Sequence, residues 1–285
     1  MQYYPERRVS RAAVCARRLA SFSAVLFLTA AFGHRQSMLG TPGFIVVLGV
    51  VAGIALAALV LAAFGFAQLW NHGDFGGRNI ALAVFVSMLV LAPFGVALYW
   101  GLTLPALTDV STDMDDPPRL TRAAGRRTAD MNAITPFTAE ERRLQLEQYP
   151  LVTGRRYAMT FDRVLQTVVA AVQARGWQLI PPPPDGEGVE ATVEAEARTW
   201  LLGLPADVAI RLTDEETSTY VDMRSASRYG AHDLGQNASR VVAFLARLDA
   251  EMAALAGAMP TEPADAGPSD GEPMDIPTPE PRPQN

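Results

Sequence analysis

The densest run of groups able to do chemistry in this chain is Ser225-Ala-Ser-Arg228-Tyr-Gly230-Ala-His232-Asp233-Leu-Gly235-Gln-Asn237-Ala-Ser-Arg240. It joins a strand pattern to a helix pattern. A helix N-terminus carries partial positive charge and free N–H groups, so such a loop can present amides and an arginine to an anion. On that reading Arg228, His232 and Asn237 line a small-ligand site. The same residues also support a structural reading. Gly230 and Gly235 permit tight turns, Asp233 caps the helix, and Arg228 pairs with Asp233 or with a carboxylate from the segment before the domain. His232-Asp233 beside Ser225 or Ser227 holds the letters of a hydrolase triad, and either could work as acid or base with an upstream carboxylate. The chain lacks a Gly-x-Ser-x-Gly elbow, however, and adjacency in sequence is not triad geometry.

A second polar cluster is Asp109-Val-Ser111-Thr112-Asp113, followed by Asp115 and Asp116. The acids resemble a calcium cluster without the glycine and late glutamate of an EF-hand, so they read as a solvated acidic flank. The histidines are His34, His72 and His232, and the first two fall in membrane loops. That excludes a multi-histidine metal site in the soluble part. Cys15 is the single cysteine, so no intramolecular disulfide can form. It precedes an apolar run rather than following one, which argues against a lipoprotein signal. No phosphate-binding glycine loop occurs, and no cofactor is expected. The acidic balance, −6 overall, and the lack of an arginine stripe with exposed aromatics disfavour nucleic acid as a partner.

The elements that must position these residues follow from periodicity. From 160 onward, Val164, Leu165, Val168, Val169 and Val172 recur with helical spacing up to Gly176. A short apolar strand follows at 177–181, then a turn cluster at 181–188. Val189, Ala191, Val193, Ala195 and Ala197 alternate with Glu190, Thr192, Glu194, Glu196 and Arg198, the pattern of a half-buried strand with one polar face. Val208, Ile210 and Leu212 alternate likewise, and 220–226 is another strand. A long amphipathic helix spans 234–255. The order is helix, four strands, helix. Short turns between consecutive strands imply antiparallel pairing. The expected fold is a two-layer α+β domain over 157–256, with a four-stranded antiparallel sheet covered by two helices. The segment 104–156 reads as a connector. Within it Thr138-Ala-Glu-Glu141 has the form of a capping box, which predicts a helix over 139–148 that stops before Pro150. The tail 257–285, rich in Pro, Asp and Glu, reads as disordered.

Upstream of 104 the composition changes. Three apolar runs, 19–32, 44–67 and 80–102, contain no Asp, Glu or Arg. The second and third exceed the roughly 20 residues a helix needs to cross a bilayer, and helix is the only state that satisfies their backbone in hydrocarbon. The first is short. It spans if 12–16 or 37–39 extend it to about 19–39, with Arg17 and Arg18 reaching the interface. It could also be the apolar part of a cleaved signal, or an interfacial helix. Gly49, Gly53 and Ala57 are spaced for close helix–helix contact, or simply reflect an alanine-rich composition. Trp70, Tyr99 and Trp100 sit where aromatic belts belong. Arg7, Arg8, Arg11, Arg17 and Arg18 crowd the basic segment 1–18, which the positive-inside rule places in the cytoplasm. Three crossings, or a cleaved signal and two, put the C-terminal domain outside. In a bacterium that is the periplasmic side of the inner membrane.

The run Asp109-Val-Ser-Thr-Asp113 with Asp116-Pro117-Pro118, the pair Tyr149-Pro150, and Val221-Asp-Met-Arg-Ser-Ala-Ser-Arg228 leading into Asp233-Leu-Gly-Gln-Asn237 together resemble the domain of unknown function 1499 family. The resemblance covers about 108–248 and implies a bacterial protein with membrane helices ahead of the domain. The family pattern has an aromatic-rich strand followed by paired acids; here Trp200-Leu-Leu-Gly-Leu-Pro-Ala-Asp207 keeps the last acid alone. The resemblance implies no activity or catalytic residue. The expected role is a non-enzymatic module that binds an envelope protein or small ligand beside the lipid bilayer. The alternative is an envelope hydrolase using His232 or Asp233 with a connector carboxylate. The spans carry no ionisable group of the kind that marks an ion pathway, which disfavours transport.

Overall fold

The computed structural model describes residues 9–181, 190–199 and 202–258. The turn at 181–188 beyond its first residue, Val189, Trp200, Leu201, residues 1–8 of the basic N-terminus and the tail from 259 lie outside the described residues.

Three helices come first: α1 (Arg11–Arg35), α2 (Thr41–His72) and α3 (Gly77–Thr103). All are long and apolar enough to cross a membrane. The short first run becomes long enough because the helix starts at Arg11, where the Ser10 hydroxyl accepts from the Ala13 N–H as its cap. The helices pack through alanine: Ala13, Ala16, Ala20, Ala58, Ala62 and Ala83 are fully buried around Ile80. Close approach occurs at Gly65, where an added Cβ would lie 3.1 Å from the Ala13 nitrogen. Gly49 and Gly53, spaced for the same purpose, face open space.

The C-terminal domain is an α+β structure, but among the described residues its sheet has six strands rather than the four expected. They are β1 (Asp109–Ser111), β2 (Arg155–Tyr157), β3 (Gln178–Ile180), β4 (Glu190–Arg198), β5 (Pro205–Asp214) and β6 (Thr219–Ser227). The order is β1-β6-β5-β4-β3, all antiparallel, and β2 pairs with the same edge of β6 as β1. The two extra strands come from the expected connector and its boundary. Each is three residues long, too short to show a period of two. The remaining helices are the single turn α4 (Thr121–Ala124), α5 (Ala139–Gln148), α6 (Phe161–Ala174) and α7 (Gln236–Ala258). The Thr138–Glu141 capping box starts α5 as the sequence predicts.

On one face of the sheet, α6 and α7 pack against the inward residues of the strands. Val208, Ile210, Leu212, Val221 and Met223 meet Val164, Val168, Phe244, Leu245 and Leu248, all fully buried. Each such large side chain contributes about 1.5–3 kcal/mol. Trp177 stacks on Phe244 with ring centroids 5.4 Å apart.

The opposite face is where the expected two-layer picture needs correction. The alternating acids of the strands imply a solvated face, yet Glu194, Asp207 and Asp222 are at most 2% exposed. Residues 112–137 cross this face as a strap, from β6 over β5 to the β3–β4 side and back. Leu120 and Ala123 of the strap pack on Ile180, Ala209 and Ala226. Arginines of the strap meet the acids. The Arg122 Nε donates to Glu194 at 2.9 Å, and the Arg127 Nε donates to Asp207 at 2.8 Å. Arg211 on β5 is held between Asp222 and the strap carboxylates Asp113 and Asp116. The acidic flank Asp113, Asp115 and Asp116 is therefore engaged, with Asp115 paired to Arg142 of α5. Charges buried this way are tolerable because each has a counter-charge and directed hydrogen bonds.

Candidate functional site

The two polar clusters of the sequence come together at the junction between the end of α3 and the start of α7. β1 brings 109–111 beside 224–226 of β6, so Asp109 faces Arg224. The Arg224 Nη2 donates to an Asp109 oxygen at 2.7 Å, and the guanidinium lies 5.3 Å from the centre of the Phe137 ring. Burial pushes the Asp109 carboxyl above the usual carboxylate range, against the pull of Arg224. Ser111 is fully buried, and its N–H donates to the Gln145 side chain. The Thr112 hydroxyl donates to Asp222 and accepts from the Met223 N–H. Asp113 accepts the N–H groups of Asp115 and Asp116 in a tight turn.

The loop after β6 is equally occupied. Arg228 donates to Asp207 through Nε and Nη2 and to Glu196 through Nη1. Its partners are thus strand carboxylates rather than Asp233 or a connector acid. Burial alone would lower Arg228, but these acids outweigh it and hold the guanidinium above its ordinary value. Asp233 caps α7, accepting from the N–H groups of Gly235 and Asn237, and burial raises its carboxyl. Ser225 donates to the Asn237 side chain. The Asn237 Nδ2 in turn donates to the Thr108 carbonyl and the Ser227 hydroxyl. Arg240 donates to Ser225 and Asn237, and burial depresses it to about 10.

His232 does not reach a carboxylate. Its Nδ1 accepts the Leu234 N–H at 2.9 Å, which leaves Nε2 to donate to the Leu104 carbonyl at 3.1 Å. Both ring nitrogens are spent on backbone groups, and Asp109 and Asp113 have arginine and turn partners of their own. The geometry that the acid–base reading requires is not what these residues form.

These bonds instead seat the domain on α3. Leu104, Leu107 and Thr108, the residues leaving that helix, accept respectively from His232, the Asp233 N–H and both Asn237 and the Ser227 N–H. Gly230 and Gly235 have φ of +90° and +73°, and Leu234 has +56°. At Gly235 the requirement is also one of space: a Cβ would stand 2.9 Å from Leu104 Cδ1. A second seat lies at the turn between α1 and α2. The buried His34 bonds to the Leu202 carbonyl of the β4–β5 hairpin at 2.9 Å and to Thr41, and stacks on Phe44.

Beside the first seat the surface turns apolar. A groove of about 450 Å³ opens between α3, the end of α5 and the start of α7. Its lining includes Trp100, Leu104, Tyr149, Leu151, Leu234 and Val242 and, among the described residues, no charged one. The Tyr149 hydroxyl is buried at its floor with no hydrogen-bond partner among the described residues, and burial raises its pKa. Sequence reading marked Trp100 as a belt residue and Tyr149-Pro150 as part of the family resemblance. It did not connect them, because they meet only when α7 docks on α3. Among the described residues, no group of three His, Cys, Asp or Glu side chains could hold a metal ion.

Comparison with known proteins matches residues 109–248 to the family described as protein of unknown function (DUF1499). No curated protein and no solved structure matches the chain.

Proposed function

Residues 109–248 belong to that family of unknown function, and from this premise we propose that the chain is a bacterial inner-membrane module that holds its α+β domain on the periplasmic face and binds a partner or small ligand without turning it over. One observation carries the reading. The polar signature residues are committed to one another and to the exit of α3, while the concave surface beside them is apolar and uncharged. Groups spent on backbone partners are poor catalysts, since a general acid or base must reach its substrate within hydrogen-bond distance. An apolar pocket with few polar groups is the usual form of a small-molecule site. In this reading Asp109, Ser111, Thr112, Asp113, Ser225, Arg228, Asp233 and Asn237 are structural: they fix the groove's walls. The arginines at 7, 8, 11, 17 and 18 support the orientation.

Three measurements test it. A C-terminal alkaline phosphatase fusion should be active, and the matching green fluorescent protein fusion dark; the reverse pattern places the domain in the cytoplasm. Native mass spectrometry of the full chain in mild detergent should show a bound small molecule that Ser239→Trp, at the groove wall, displaces. Ester hydrolysis by the wild-type chain that His232→Ala abolishes would defeat the non-enzymatic reading.

A further inference from the structure

We infer that the groove beside α3 takes the acyl chain of a phospholipid from the surrounding bilayer, drawn up out of the leaflet next to the domain. The inference rests on the binding-module reading and names its ligand.

Position argues for it first. α3 ends at Thr103 and is apolar enough to span a membrane. Trp100 and Leu104, at its exit, are walls of the groove. The groove is therefore continuous with the surface that α3 offers to lipid, and Trp100 on its wall is itself 39% exposed. A chain leaving the bilayer along α3 meets the groove without crossing water. Tryptophan at a span's end marks the interfacial level where acyl chains meet headgroups.

Chemistry argues for it next. The polar members of the lining, Gln148, Tyr149, Gln236 and Ser239, are neutral amides and hydroxyls. Burying apolar area is favourable, and this lining has no charge to desolvate against it. Leu151, in the lining, is 67% exposed. Its side chain would sit in water if the domain stood clear of the membrane, but it rests in the interface if the domain leans on the leaflet. The two seats at Leu104 and His34 hold the domain close to the bundle, as a lean of this kind requires. An acyl chain suits this site better than a peptide, which would bring backbone N–H and C=O groups into a lining with few polar partners.

The test uses the full chain in nanodiscs of phosphatidylethanolamine and phosphatidylglycerol, doped with phospholipid that carries a diazirine at the acyl terminus. Photolysis followed by peptide mapping should label Leu151 and 234–242 of the domain, as well as the spans. Ser239→Trp, which fills the groove, should abolish the domain labels and leave the span labels unchanged. Ser239→Lys, which places a charge on the wall, should do the same and guards against a misfolded tryptophan variant. Ala170→Trp, in the separate α6–α7 groove, should retain all labels. Labelling confined to the spans, or domain labels that survive both Ser239 variants, would overturn the inference. A water-soluble benzophenone, photolysed with the same variants, separates the two levels of argument. If it labels 234–242 in wild type but not in Ser239→Trp while the lipid does not, the groove binds ligands and the lipid assignment falls. If neither probe labels the groove, the binding-module reading falls as well.

Discussion

Replacing Asp207 by asparagine tests whether the strap truly seals the polar face of the sheet. Asp207 is fully buried and receives Arg127 from the strap and Arg228 from the end of β6. The amide would keep the shape of the carboxylate but remove the charge between two guanidiniums. Breaking a buried pair by removing one partner costs about 3–5 kcal/mol, because the other charge stays buried. The lower end applies here. Arg228 retains Glu196, and Arg127 retains the carbonyls of Asn132 and Ala226. For a domain of this size each kcal/mol moves the melting temperature by about 2–4 °C, so a fall of roughly 6–12 °C is expected. The assay is near-ultraviolet circular dichroism of the full chain in detergent on heating, paired with trypsin cleavage after Arg119, Arg122, Arg126 and Arg127. Cleavage at those sites should accelerate, since the strap must lift to admit protease. Asp115→Asn is the control. Asp115 is 95% exposed beside Arg142, and exposed pairs contribute about 0–1 kcal/mol. If Asp207→Asn melts with Asp115→Asn and the strap resists trypsin equally in both, Asp207 is hydrated and the covered face does not exist.

Gly235→Ala should cost about 1–2 kcal/mol from the left-handed backbone alone, and the contact with Leu104 should speed hydrogen exchange at 232–236. Asn237→Ala removes four hydrogen bonds at a buried position. It should destabilise the domain by about 2–3 kcal/mol in urea titrations, since buried partners such as the Thr108 carbonyl are left unmet. The folded-state value of Asp233 is raised, so just above the ordinary carboxylate range the folded chain binds more protons than the unfolded one. Its contribution to stability therefore falls as pH rises through that window. Asp233→Asn lacks it, and the stability of wild type relative to the variant should decline as pH rises above the ordinary carboxylate range. A difference that grows with pH would contradict the assignment.

The helices and the β4–β6 hairpins were legible because each repeats its period several times. Val164, Val168 and Val172 mark a helix face, and Val208, Ile210 and Leu212 a strand face. The Thr138 capping box fixed both ends of its signal within four residues. β1 and β2 were not legible: Asp-Val-Ser and Arg-Arg-Tyr carry neither a usable period nor the apolar run that marked the equally short β3. The covered polar face was misread for a different reason. Glu194 and Asp207 alternate with apolar residues just as solvated strand residues do. What distinguishes them is a complement elsewhere, the arginines at 122 and 127, some seventy to eighty positions away. The site was half legible. Spacing singled out 109–113 and 225–237, and the structure brings them together. That they brace the α3 exit, and leave the neighbouring apolar groove as the concave surface, depends on where α7 docks.

Pairing β1 with β6 has a consequence for how the chain is made. Asp109 and Arg224 are partners 115 positions apart, so the first strand of the domain to leave the ribosome waits for the last. Until then Thr112 of the strap and Arg211 of β5 lack their partner Asp222, and the strap cannot close fully. Loop-closure cost rises only slowly with length, but non-local pairing slows folding, and during that delay an unpaired edge is open to other chains. Tethering to α3 keeps β1 at one fixed place throughout. The membrane helix thus supplies more than attachment: it gives the returning strand a stationary template and shortens the interval in which the domain can be lost to aggregation.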